Sequence, residues 1–201
     1  MPAFTRLGAI NRMLQAAGEQ PVNTLVSDGT NDVSLAESVL DDSIKEILSQ
    51  GLNFNTEVKD LYKDASGQII LSDSILYVTP WGKDMYRKLT QRGNLLYDLS
   101  ENRTTFPDEE FVTVKITYDW PYEDVPTDIQ LWIADHAARV YQMQTQRSRE
   151  MDAFLAEREL RSQAKARQTD ARSRNNNWNR NFNGNTGWGT VRTRWQLRGP
   201  Q

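Results

Sequence analysis

The spacing of apolar residues changes twice along the chain, and this limits the fold more than any other feature. Between residues 7 and 50 apolar side chains recur every three or four positions; between 57 and 118 they tend to alternate; from 128 onward the helical spacing returns. The first spacing lines one side of a helix and the second one face of a strand. Helices at both ends with strands between them make an α+β fold, with the helices packed as a bundle and a small antiparallel sheet in the middle of the chain.

Leu7, Ile10, Leu14 and Ala17 predict a helix over 6–17 that ends at Gly18, and Pro21 opposes a restart. Ala36, Val39, Leu40, Ser43, Ile44, Ile47 and Leu48 predict a second over 34–50, opened by a capping box of Ser34 and Glu37 and stopped at Gly51. Its outer face carries Glu37, Asp41, Asp42 and Glu46, which suit either plain solvent or a negatively charged lining. Strands are expected at 68–71, 75–78, 95–99 and 111–118, with a short helical turn around Met85, Lys88 and Leu89. Alternation of Val112, Val114, Ile116 and Tyr118 places the last strand centrally. Thr127 and Gln130 form a second capping box, leading into a helix from 128 to about 165 along Ile129, Ile133, Ala137 and Val140, with Trp132 beside the stripe. Unbroken, some 40 residues would make a rod of roughly 60 Å. Such a rod outruns a small core, so its second half must either fold back or leave the body.

Charge divides the chain unevenly. Of the 24 basic and 27 acidic groups, residues 165–201 hold eight and one, leaving 16 and 26 in the first 164 residues. An acidic body over 1–167 with a basic arm over 168–201 is the domain organisation this implies. The arm is rich in asparagine and glycine, a composition that does not fold alone, yet it holds Trp178, Trp188 and Trp195 among the chain's six tryptophans. Tryptophan and arginine are favoured anchors of binding surfaces. Arg172, Arg174, Trp178, Arg180, Phe182, Trp188, Arg192, Arg194 and Trp195 are therefore the candidate partner-binding residues. Arginines interleaved with aromatics also suit phosphates and bases, so nucleic-acid binding is the alternative for the arm, opposed by the acidic body.

Enzymatic readings find little support. Cysteine is absent, and His136 is the lone histidine, better suited to packing or an interface than to a metal. No serine sits in a nucleophile elbow, and no glycine-rich phosphate loop occurs. The remaining option is glycoside hydrolysis by a carboxylate pair, drawn from Asp108, Glu109 and Glu110 or from Asp119, Glu123 and Asp124. No cofactor is implied. With no apolar run of about 18 residues and arginines at 6 and 12, neither a membrane span nor a signal peptide is expected.

Several short motifs follow one another in a familiar order. Gly18, Glu19, Pro21 and Val22 lead to Thr24 and Leu25; Gly51, Phe54 and Asn55 follow the second helix; Leu96, Tyr97 and Asp98 come after a strand; Asp128, Trp132 and Ala134 open the helix past the acidic, proline-containing turn. Over roughly residues 7–145 this series resembles the tail tubular protein A family, head-to-tail adaptors of short-tailed bacteriophages. The resemblance implies a structural, non-enzymatic subunit of a ring, twelve-fold in that family. The ring lies at the head-to-tail junction of the virion, between the portal protein and a nozzle protein similar to tail tubular protein B, and leaves a channel for DNA. It further implies that the C-terminal arm grips the portal and that tail fibres are possible neighbours; given such a channel, the acids of the second helix, Glu37, Asp41, Asp42 and Glu46, are candidates for its lining. Leu52 departs from the pattern, standing where the family has tryptophan, and the arm is richer in asparagine than the family pattern.

Overall fold

The computed structural model describes residues 5–25 and 31–173. It is α+β, with a helical layer and a sheet layer, each around its own core. Helix α1 spans Arg6–Ala16, begins where the Thr5 hydroxyl accepts the Gly8 amide, and closes at Gly18, whose φ of 76° is the left-handed conformation that glycine tolerates. Helix α2 spans Asn31–Leu48 and buries the predicted stripe. It starts three residues before the expected Ser34, which is exposed inside the helix, so the Ser34 and Glu37 capping box does not open it.

Beyond α2, Gly51 and a 3-10 turn at Asn53–Asn55 lead into β1, Thr56–Tyr62. The other strands are β2 (Ile75–Pro80), β3 (Leu89–Arg92), β4 (Leu95–Asp98) and β5 (Phe111–Tyr118). One antiparallel sheet has the order β1-β5-β2, so the strand with the best alternation is central as expected, and β3 with β4 makes a separate hairpin. Two expectations fail here. Residues 68–71 form only isolated bridges, Gln68 to Thr105 and Ile70 to Leu95, while β1 was not foreseen. With Glu57, Val58, Lys59 and Asp60 all exposed, β1 has no buried face over those positions for a period to mark. The expected helical turn around Met85 is instead a 3-10 turn at Gly82–Asp84, and Lys88 and Leu89 run into β3.

A bulge at Leu76 joins the layers. Ile75 and Val78 face the sheet core, but the extra residue between the paired positions turns Leu76 toward the helical core. Asn55 adds a polar tie, its buried amide donating to the carbonyls of Leu48 and Tyr118, both at 2.9 Å. Leu52 is buried in the helical core, so an apolar anchor is kept where the family pattern has tryptophan.

The predicted long C-terminal helix is two helices. Helix α3 spans Thr127–Thr145 and α4 spans Arg149–Ser173, folded back antiparallel on α3. Arg147, with φ of 54°, makes the reversal, and the Ser148 hydroxyl accepts the Met151 amide at the start of α4. Composition hides this break, because 145–149 contains neither proline nor glycine. The Thr127 and Gln130 capping box is also absent: Pro126 is the N-cap without a side-chain bond, and Gln130 is spent on Tyr122, donating to its carbonyl at 2.7 Å.

The left-handed backbone at Arg147 is a direct handle on the break. Valine there should cost about 1–2 kcal/mol, because a β-branched residue resists positive φ, whereas glycine should not destabilise; urea unfolding of the two variants compares them.

Candidate interaction surfaces

Helix α4 carries the last described residues, up to Ser173. Its inward residues are Leu155, Ser162, Ala166 and Asp170, a narrow stripe of mostly small side chains that lets it lie close on α3. Polar ties hold the pair along its length. Arg139 meets Asp152 at 2.7 Å, Asp135 meets Arg158 at 3.0 Å, and Asp128 meets Lys165 at 2.8 Å.

The last turns are held most firmly. Asp170 is 8% exposed, and its carboxylate accepts the Asn53 amide at 3.0 Å, the Asn53 side-chain nitrogen at 2.8 Å and the Phe54 amide at 3.2 Å. It thus caps the 3-10 turn before β1 from 117 residues away. Thr169 donates to Asp128 at 2.6 Å, and the Arg167 guanidinium lies over the Trp132 ring. From composition, Asp170 is merely the lone acid of a basic tail; only its burial reveals the role.

Of the candidate arm residues, Arg172 is exposed on the last turn of α4. Arg174, Trp178, Arg180, Phe182, Trp188, Arg192, Arg194 and Trp195 lie outside the described residues.

The acids of α2 separate into two kinds. Asp41 pairs with Arg6 at 2.7 Å, and the Glu46 carboxylate lies 3.3 Å from a ring nitrogen of His136, so both take part in contacts within the subunit. Glu37 is half-buried, near enough to Arg6 to help hold that guanidinium's pKa up, whereas Asp42 is exposed. His136 packs between helices, its other ring nitrogen 2.7 Å from Glu159 of α4.

The loop carboxylates are divided as well. Glu109 is bound to Arg87, a 9% exposed guanidinium that also meets Asp84 at 3.3 Å and Asp98 at 3.4 Å. Asp84 in turn accepts the Thr113 amide, so this cluster fixes the turn after β2 against β5. A carboxylate so committed is a structural tie. Asp119 lines a groove of about 420 Å3 between the helices and the turn after β5, with Arg6, Asp41, Lys45 and Trp120. Among the described residues, no three histidines or carboxylates are grouped to hold a metal ion, and no helix is long and apolar enough to cross a membrane.

Two comparisons add to this geometry. The profile of the tail tubular protein family matches residues 7–176, which takes in both layers and all of α4. Tail tubular protein A of Klebsiella phage KP34 is 33% identical over 136 residues, 67% of this chain and 70% of that protein.

The root of the arm yields two expected outcomes. Replacing Asp170 with alanine leaves two amides and a side-chain nitrogen without an acceptor and should cost about 1–3 kcal/mol; denaturant unfolding measures the loss, and faster amide exchange at Asn53 and Phe54 locates it. Asp128, bonded to Lys165 and Thr169, has its carboxyl held below its ordinary value. A depressed native pKa gives stability above the unfolded-state value that is lost as pH falls through the native value. The advantage of wild type over Asp128→Asn should therefore be full at neutral pH and fade on acidification below about pH 4, which thermal melts across that range would show.

Proposed function

Because the chain belongs to the tail tubular protein family and is thus a structural part of a phage tail, we propose that it forms the ring joining head to tail, held to the portal protein by residues 174–201. The observation that carries this reading is the fixed root of the arm. Asp170, Thr169 and Arg167 bind the end of α4 to the body, so the basic, tryptophan-bearing segment starts from one defined point on every subunit.

In this reading unlike surfaces of identical subunits meet around an axis, twelve times as in the family the sequence resembles. A nozzle protein follows on the far side, tail fibres attach at the periphery, and DNA passes along the axis. Arginines of the arm meet acidic groups of the portal while Trp178, Trp188 and Trp195 fill its pockets. Arms held by one portal raise the local concentration of subunits, which drives ring closure where free subunits stay apart. Of the α2 acids, Asp42 is the one most available to face the channel, since Asp41 and Glu46 are paired inside the subunit; Glu37 lies beside them. A negative lining keeps DNA from sticking as it leaves.

The test is a full-length chain with alanine at Trp178, Trp188 and Trp195. Its melting temperature should match wild type, because the described ties of α4 to the body, from Asp152 to Asp170, involve none of these three residues, and its affinity for isolated portal should fall at least about 100-fold, as loss of interface anchors of 2 kcal/mol or more would give. Undiminished portal binding would remove the arm from this role.

A further inference from the structure

One face of the three-stranded sheet is covered by the β3–β4 hairpin and its neighbours, and the other is bare. The pairing puts Tyr77, Thr79, Lys115 and Val58 on the bare face, with Phe111 beside Tyr62 at its far end. An antiparallel sheet facing water ordinarily turns polar groups outward. Here Tyr62 is 63% exposed, Tyr77 56%, Val58 49% and Trp81, just past β2, 45%. They form a patch, not scattered positions: the Tyr62 and Phe111 rings are 5.5 Å apart, Lys83 lies 3.5 Å over Phe111, and Lys115 lies 5.7 Å over Trp81. The Arg87 cluster holds the adjoining turn in place, so the patch is fixed before any partner arrives. Aromatic surface of this kind marks an interface.

Its charge selects the occupant. Lys83 and Lys115 have no carboxylate partner among the described residues and outnumber Asp60, whose carboxylate accepts the Thr113 hydroxyl at 2.6 Å. Two copies meeting face to face would bring lysines against lysines. The groove beside Trp120 is lined by Ile44, Pro121 and Tyr122, with Asp41 and Asp119 against Arg6 and Lys45, and Glu123 stands close enough to act on Arg6. Asp119 and Asp124 have no cationic partner among the described residues, Arg6 in the lining is bound to Asp41, and Lys45 is the opposing charge. Trp120 stands 6.3 Å from Tyr118, at the end of β5 away from Phe111. Unlike, complementary patches are what a head-to-tail contact requires.

We propose that the bare sheet face of one copy seats in the groove between helices α1 and α2 and the 119–122 turn of the next copy, with Lys115 meeting Asp119. This rests on the ring reading and says which surfaces close the ring.

The absence of cysteine makes the test clean. Chains carrying both Thr79→Cys and Asp119→Cys, assembled and oxidised, should give a ladder of cross-linked oligomers, whereas either substitution alone should give none. Lys115→Glu should raise the concentration for half-assembly about tenfold or more at low salt, and Asp119→Lys in the same chain should restore it. Closed rings in electron micrographs without the ladder, or dimers from Thr79→Cys alone, would overturn this interface and leave the ring reading standing. If wild type forms no rings, with portal or without it, both fall.

Discussion

The helical layer depends on burying α3. Ile129, Trp132, Ile133, Ala134, Ala137, Ala138 and Tyr141 are all almost fully enclosed, and α1, α2 and α4 each pack on it. Each large apolar side chain so buried contributes about 1.5–3 kcal/mol. A helix hidden on so many sides must also hide polar groups, and several of these find partners, while the Trp132 indole nitrogen is buried without one. Gln130 bonds Tyr122, Gln142 donates to the Ser148 carbonyl, and Asp135 meets Arg12 and Arg158. Burial is the dominant influence on Asp135 and holds its carboxyl above the ordinary range, although both arginines pull the other way. Such a pair fixes geometry more than it adds stability.

Similar buried polar groups hold the junctions between elements. Asn55 ties the end of α2 to the end of β5, Arg87 ties the turn after β2 to the hairpin and to β5, and Asp170 ties the end of α4 to the start of β1. All three link segments distant in sequence. In the proposed ring such joints matter, because a small error in one subunit is multiplied around it.

Much of the architecture is legible in residue spacing, since helices α1, α2 and α3 and strand β5 each have a buried stripe of regular period. What escapes has physical causes. Strand β1 is exposed on both faces along most of its length and shows no alternation. The reversal between α3 and α4 uses Arg147 in a conformation usually left to glycine, so no breaker announces it. Capping boxes at Ser34 and Thr127 match in spacing but not in place, because the first lies inside α2 and Gln130 of the second is consumed by Tyr122. The interaction surfaces divide in the same way. Composition sets the basic, tryptophan-bearing segment apart, while the buried Asp170 and the bare aromatic sheet face need the fold to bring distant residues together.

Fold, fixed arm root and family membership converge on a tail subunit that acts by position. In the proposed account the chain contributes a body held by buried ties, two unlike faces and a cationic, aromatic segment for a neighbour. The most direct measurement is electron microscopy of the purified protein mixed with its isolated portal. The account predicts closed rings stacked coaxially on the portal, twelve-fold in top view, with density from the end of α4 running onto the portal surface. Portal particles that remain bare beside dispersed subunits would contradict it.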